Sequence, residues 1–492
     1  MVPLVFKTNA SREGSGRFDS CSFRHLFLIS LTTNLNTGFP AVSTSPKGFV
    51  RLPQVEQLLQ EPVLASYIRQ LSRPLVTDVI RRTLSAIRQE MSGSVAELTH
   101  ELLQQRLVSA CQSLLNQRHT RVINATGTVV HTNLGRSPVD PALWDAVAEV
   151  NTGYCNLEIK LSDGKRGQRK GIVSQLLASL TGAEEGMVVN NNAASVYLLL
   201  NELARGKEVI VSRGEQIQIG GGFRIPDILA LSGAKLVEVG TTNITTADDY
   251  LNAVTENTAM VLMVHCSNFV VRGFTESADI REVARRLPES VVLAVDQGSG
   301  LSTEKFAANE TPMNHYIRAG ADLVCFSGDK ILGGPQAGMI CGRRALVQQL
   351  EKNPLMRAFR PGRIVYSLLE ELLVRKLNRT PEGQGMAEKC VTGQDDIAVR
   401  ARQLAAQLGD YGRLVNSQMV VGGGTLPDEF FPSWSVELLV DKPSEHVLAD
   451  LRAMPLPVIG VIRNDRVQLN MAAVLPGELA ILTDQLGSYF GL

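Results

Sequence analysis

Six short apolar runs recur between residues 184 and 327: "EGMVVN", "KEVIVS", "AKLVEVG", "AMVLMVH", "VVLAVD" and "ADLVCFS". Stretches with helical spacing separate them. Most of the runs are rich in Val, Ile or Leu and close on a polar residue or a glycine. A strand that is apolar on both faces must be covered on both, and helical crossovers do this in a parallel sheet. The pattern predicts that residues 119–345 form an α/β domain on a doubly wound, mostly parallel sheet. Ligands of such sheets gather at the carboxyl ends of the strands. The polar residues that close the runs are therefore the ones to inspect.

The flanking segments read differently. Residues 1–48 are rich in Ser, Thr, Asn and Gly without sustained periodicity, which predicts a disordered or non-native extension. Within them "FRHLFLISLTT" (23–33) is a weak signal-peptide pattern, and a leader from an upstream start codon is an equal reading. Residues 49–118 are helical. Val76, Ile80, Leu84, Ile87 and Met91 share one helix face. "SGS" at 92–94 interrupts it, with Ser94 as the expected N-cap. Leu103, Leu107, Cys111 and Leu114 continue on a second helix. Residues 346–492 begin with helices and end with "SWSVELLV" and a hairpin turning at Asn464–Asp465, which predicts a small α+β domain.

Composition excludes some classes. The 492 residues suffice for two to four domains. Lys plus Arg and Asp plus Glu are both 49, so the average shows no broad basic field for nucleic acid and leaves a local patch open. The helical segment carries eight arginines and six acids, which permits RNA binding without favouring it over packing or assembly. Seven cysteines at wide spacing, with no C-x-x-C, argue against a disulfide framework and a zinc site. A reducing cytoplasm and no bound metal are expected. No apolar run is long enough to span a bilayer, so no membrane partner is expected.

Three strand ends carry chemistry. Asp296 closes "VVLAVD". Ser327 closes "ADLVCFS", and Lys330 follows it in "FSGDKILGGPQAG". "NNNAAS" (190–195) follows "GMVV" and leads into an apolar helix. Pyridoxal 5'-phosphate needs these three elements: a lysine for its Schiff base, an acid to keep its ring nitrogen protonated, and a phosphate cradle. Lys330 supplies the amine and Asp296 the acid. Asn191, Asn192 and Ala193, at a helix start, and Ser327 supply the cradle. The glycines after Lys330 are read as flexible space for a bulky substrate. Taken singly, a lysine after a strand is usually solvated and an aspartate there is often a cap. The order cradle, acid, lysine gives them their weight. The S-x-x-K spelling is shared with penicillin-binding enzymes, but their S-D-N and K-T-G partners are missing.

Beyond these elements, "RVINATGTVVHTNLGRSPV" (121–139), "VSRGEQIQIGGGFRIPD" (211–227), "VGTTNITTADDY" (239–250), "DQGSG" and "FSGDKILGGPQAG" resemble the bacterial selenocysteine synthase family, the L-seryl-tRNA(Sec) selenium transferases. The resemblance runs from about Leu52 to the C-terminus. It implies a fold-type-I, aminotransferase-like pyridoxal phosphate enzyme with an N-terminal helical tRNA-binding domain. It implies seryl-tRNA(Sec) and selenophosphate as substrates, an aldimine on Lys330 and a dehydroalanyl-tRNA intermediate. It also implies a homodecamer, a pentamer of dimers. Arg136, Arg357 and Arg360 match family positions that hold the selenophosphate anion, a role suited to guanidinium forks; surface or tRNA-backbone contact is their other reading. The chain departs from the family pattern at Gln168, Cys266 and Gln297, none of which removes a required group. An ammonia-lyase or β-eliminating enzyme acting on a small amino acid would use the same Lys330 and Asp296. The helical segment and "HTNLGR" argue against it. A silent tRNA-binding protein would not need the lysine, acid and cradle together.

Overall fold

A computed structural model describes residues 52–91, 99–219, 223–266, 269–302, 307, 310–426 and 428–492. The 1–48 extension, the "SGS" break and the Ser94 cap lie outside the described residues. The chain divides into two compact units, one ending at His119 and one beginning at Thr120.

The first unit is helical, with α1 (Arg73–Met91) and α2 (His100–Leu115) as its longest members. Val76, Ile80, Leu84 and Ile87 are buried in one core with Leu103, Leu107 and Cys111. The spacing of four and three residues that predicts the α1 face thus describes what it buries. Leu114 packs on this core part-buried. Thr99 caps α2, its hydroxyl accepting from the Leu102 N–H at 3.2 Å.

The second unit holds a seven-stranded sheet. Its strands are β1 (Glu185–Val189), β2 (Glu208–Ser212), β3 (Lys235–Val239), β4 (Thr258–Val264), β5 (Val292–Gly298), β6 (Leu323–Ser327) and β7 (Gly338–Gly342). Their order is β1-β7-β6-β5-β4-β2-β3. The six apolar runs are β1 to β6, and all point the same way. Strand β7, "GMICG", was not among the runs and pairs antiparallel to both β1 and β6. Burial on both faces explains the apolar runs of β1, β2, β4, β5 and β6, while edge strand β3 exposes Lys235 and Glu238. Met187, Val209, Leu262 and Cys325 enter one core, and Val188, Ile210, Val261 and Val324 enter the other.

A second sheet is antiparallel, with order β8-β9-β11-β10 for β8 (Gly412–Met419), β9 (Phe431–Leu438), β10 (Val461–Arg463) and β11 (Arg466–Asn470). Strands β10 and β11 form a hairpin in which Arg463 faces Arg466. Asn464 and Asp465 have φ of 50° and 57°, the left-handed pair of a type I′ turn at the predicted position. Val436, Leu438 and Leu469 of this sheet pack against Ile397, Leu404 and Leu482 of two helices. Ile123–Asn124 pair in parallel with Val458–Ile459, and Ile123 and Ala125 enter the same core. No helix among the described residues is long and apolar enough to cross a membrane.

Candidate active site

The carboxyl ends of β1, β5 and β6 bring the cradle, the acid and the lysine segment to one edge of the sheet. Strand β7 lies between β1 and β6, so Gly338 pairs with both Val189 and Ser327. A Cβ on Gly338 would stand 2.3 Å from the Asn191 carbonyl oxygen and 2.3 Å from Ser195 Oγ. The helix start and Ser327 are therefore neighbours across one glycine. Gly338→Ala is expected to cost about 1–3 kcal/mol of stability and to disturb this edge. Thermal unfolding followed by circular dichroism measures the loss.

At the helix start, Asn191 caps Asn192–Leu203 by accepting from the Ala194 N–H at 2.9 Å. The N–H groups of Asn192 and Ala193 donate to no described residue. They are two of the donors that a helix start leaves free for an anion. The Asn192 side chain has a further partner. Its Nδ2 donates to Asp296 Oδ1 at 2.7 Å, tying the cradle to the acid. Buried Asn192 Oδ1 and Ser195 Oγ have no hydrogen-bond partner among the described residues.

Asp296 is 5% exposed. Burial pushes its carboxyl above the usual carboxylate range, against the pull of the Asn192 amide, the Lys330 charge, Cys325 and His265. Its Oδ1 takes the Asn192 bond and a longer contact from Cys325 Sγ at 3.7 Å. Its Oδ2 accepts from no described residue.

Lys330 is 7% exposed. Its amine comes within hydrogen-bond or ion-pair distance of no described residue. Burial lowers its pKa, with Arg136 adding to the fall and Asp296, Asp329 and Glu310 opposing it. A buried amine without a partner is costly for stability alone. Neighbouring Asp329 takes the Arg136 guanidinium on Oδ2 at 2.7 Å, which brings Arg136 to the lysine segment.

The glycines after Lys330 are packed. Gly333 abuts Gly385, where a Cβ would lie 2.5 Å from the Gly385 Cα, and Gly334 lies against Leu372. The loop closes on itself through Gly334 N–H to Gly328 O at 2.8 Å and Gly328 N–H to Ala337 O at 2.9 Å. The expectation of flexible, space-clearing glycines is corrected: they permit close backbone packing that fixes the lysine loop.

Arg357 and Arg360 lie apart from this cluster. They line a cavity of about 810 Å³ with Arg166, Arg169, Lys170 and Lys352. Arg360 meets Glu158 at 3.4 Å, and no described contact joins either arginine to Lys330. Their segment does touch the cradle, because Asn190 N–H donates to the Phe359 carbonyl at 2.9 Å.

Sequence reasoning missed a second group. His265 follows β4, and its Nε2 stands 2.8 Å from Glu310 Oε2. Its backbone N–H donates to the Asp296 carbonyl at 2.9 Å. His265 had a signal, since it closes "AMVLMVH" as Asp296 closes "VVLAVD". Glu310, in a loop, had none. Nearby, a cavity of about 450 Å³ is lined by Glu215, Cys266 and Tyr316. The Glu215 carboxyl accepts from Val264 N–H at 2.8 Å and Tyr250 Oη at 3.2 Å, and burial pushes its pKa up to about 7 from 4.5. The unfolded chain ionises this group near 4.5, the native one near 7. Its stabilising contribution is thus full below about pH 4.5 and is lost as pH rises through 7. Glu215→Gln is expected to flatten that decline in chemical denaturation measured from pH 5 to 8.

Six parallel strands with one antiparallel insertion, and a lysine segment, an acid and a helix start at their ends, define the fold-type-I scaffold of pyridoxal phosphate enzymes. D-Glucosaminate-6-phosphate ammonia-lyase, a solved structure, shares this fold at a TM-score of 0.53 and 20% identity, over 76% of this chain and 96% of that one. Sequence comparison is more specific. Residues 122–475 match the L-seryl-tRNA selenium transferase family and residues 51–88 the selenocysteine synthase N-terminal family. The L-seryl-tRNA(Sec) selenium transferase of Alkaliphilus oremlandii (strain OhILAs) is 37% identical over 89% of this chain and 97% of its own length. That of Geotalea daltonii (strain DSM 22248 / JCM 15807 / FRC-32) is 37% identical over 89% and 98%. The chain belongs to the L-seryl-tRNA selenium transferase family.

Proposed function

We propose that this protein converts L-seryl-tRNA(Sec) to L-selenocysteinyl-tRNA(Sec), with selenophosphate as donor and pyridoxal phosphate as cofactor. The observation that carries the reading is the buried Lys330 amine beside Asp296, without a partner among the described residues, in a chain of this family. The residues fit the cofactor. Lys330 Nζ is free to bond its aldehyde, and Asp296 Oδ2 is free to face its ring nitrogen. The Asn192 and Ala193 N–H groups and Ser327 Oγ are free to hold its phosphate. When bound, the cofactor supplies an electron sink that lets serine lose its Cα proton and then its β-hydroxyl.

The side chains do the rest. Burial favours the neutral form of Lys330, which suits it to take the Cα proton. Arg136, beside the lysine segment, and Arg357 and Arg360 are assigned to the selenophosphate anion. The last two line a separate cavity in this chain, so the assignment requires a partner subunit or a movement to bring them to Lys330. Residues 49–118 are taken as the tRNA-binding domain, 119–345 as the cofactor domain and 346–492 as the small domain, with 1–48 an extension. A homodecamer in the cytoplasm is the expected assembly, and the six described cysteines, all free, suit a reducing compartment.

The test is selenium transfer from selenophosphate to seryl-tRNA(Sec), with free serine as the control. Selenocysteinyl-tRNA formed with seryl-tRNA(Sec) alone supports the reading. Turnover of free serine without turnover of the tRNA contradicts it.

A further inference from the structure

Glu310 is a buried acid with a single cationic partner among the described residues. Its side chain is 2% exposed, and among the described residues only His265 pairs with it, at 2.8 Å. Its other oxygen, Oε1, accepts a long contact from Gln297 Nε2 at 3.4 Å. A buried carboxylate is strongly destabilising unless a charge or hydrogen bonds compensate it. An imidazolium at His265 does so and a neutral imidazole does so poorly.

The imidazole is also tied to Asp296. The His265 N–H donates to the Asp296 carbonyl oxygen, so the two side chains leave adjacent strand ends. Around the ring stand Tyr316, whose hydroxyl is 3.4 Å from Nδ1, and the acids Glu310, Glu215 and Asp296. Burial opposes the charge on His265, but these carboxylates outweigh it and raise its pKa. Asp296 in turn faces Asn192, Cys325, Lys330 and His265, and the last is one of the forces holding its carboxyl down against burial. Gln297 locks the arrangement. Its amide donates to Ser299 Oγ at 2.6 Å and to the Thr311 carbonyl at 3.2 Å, and it accepts from Gly300 N–H at 2.8 Å. The acid-bearing turn and the loop before Met313 are thereby held together.

We propose that Glu310 holds His265 as an imidazolium, and that this charge keeps Asp296 ionised for the ring nitrogen of the cofactor. Both are positioning residues, acting through Asp296. The inference rests on the functional reading above and adds what determines the protonation of its acid. A proton shared between Asp296 and the ring nitrogen goes to the nitrogen while His265 is charged. It returns to Asp296 when that charge is removed.

Glu310→Gln retains a hydrogen bond but removes the charge that holds the imidazolium. His265→Gln removes the charge from the other side. Each folded variant, checked by circular dichroism, is loaded with pyridoxal phosphate labelled with ¹⁵N in the ring. The wild type is expected to show a protonated ring nitrogen by NMR, and both variants a largely neutral one. Cofactor affinity is expected to fall about tenfold, the equivalent of one pKa unit. The yellow absorbance of the lysine-bound cofactor is expected to titrate at higher pH, because a neutral ring withdraws fewer electrons. Glu310→Asp restores the wild-type signals. If both Gln variants keep a protonated ring nitrogen and unchanged cofactor affinity, the inference is overturned while the functional reading stands. If the wild type forms no yellow species, the functional reading fails and the inference with it.

Discussion

Lys330→Ala is expected to yield a colourless protein that transfers no selenium to seryl-tRNA(Sec). On the proposed reading the amine is both the anchor for the cofactor aldehyde and the base. Loss of the base alone is expected to cost about 10²–10⁴-fold in rate, and loss of the anchor adds to it. The fold should not suffer. Lys330 is buried without an ion-pair or hydrogen-bond partner among the described residues, so removing its amine relieves a desolvation cost. A melting temperature equal to or above that of the wild type, together with lost colour and lost transfer, is the expected pattern. Retained transfer would remove Lys330 from the mechanism.

Asp296→Asn is expected to fold and to bind pyridoxal phosphate weakly. An asparagine at 296 can still accept the Asn192 hydrogen bond, so the cradle stays in place. It cannot offer a charge to a protonated ring nitrogen. A hydrogen bond to a charged group contributes about 1.5–3 kcal/mol, so cofactor affinity should fall roughly 10- to 150-fold. Transfer should fall further, because a neutral ring is a poorer electron sink. Titration of the apo-protein with pyridoxal phosphate reads the first effect. Unchanged affinity would show that the acid does not face the ring.

Much of the fold was legible because burial on both faces leaves a mark in composition. Strands β1, β2, β4, β5 and β6 carry apolar runs for that reason, whereas the edge strand β3 exposes Lys235 and Glu238. Strand β7 was not legible. Its five residues begin and end with glycine, and its reversed direction follows from the short closed loop 328–337. The α1 face was legible from spacing. The pairing of Ile123 with Val458 was not, since nothing local links segments so far apart.

The site divides in the same way. Lys330, Asp296 and the Asn191 cap stand out because each closes or follows an apolar run. The partners of these residues come from tertiary folding and left no local signal. Asn192 serves Asp296, Arg136 meets Asp329, and Glu310 pairs with a histidine 45 residues away. The glycines of "GGPQAG" were legible as necessary but not as packed, because the residues they touch, such as Gly385, are remote in sequence.

Reduction of the cofactor-loaded protein with borohydride, followed by proteolysis and mass spectrometry, tests the central claim most directly. The account predicts a pyridoxyl phosphate mass on the peptide that contains Lys330, and on no other lysine peptide. A label on a different lysine, or none on a protein that still transfers selenium, would contradict it.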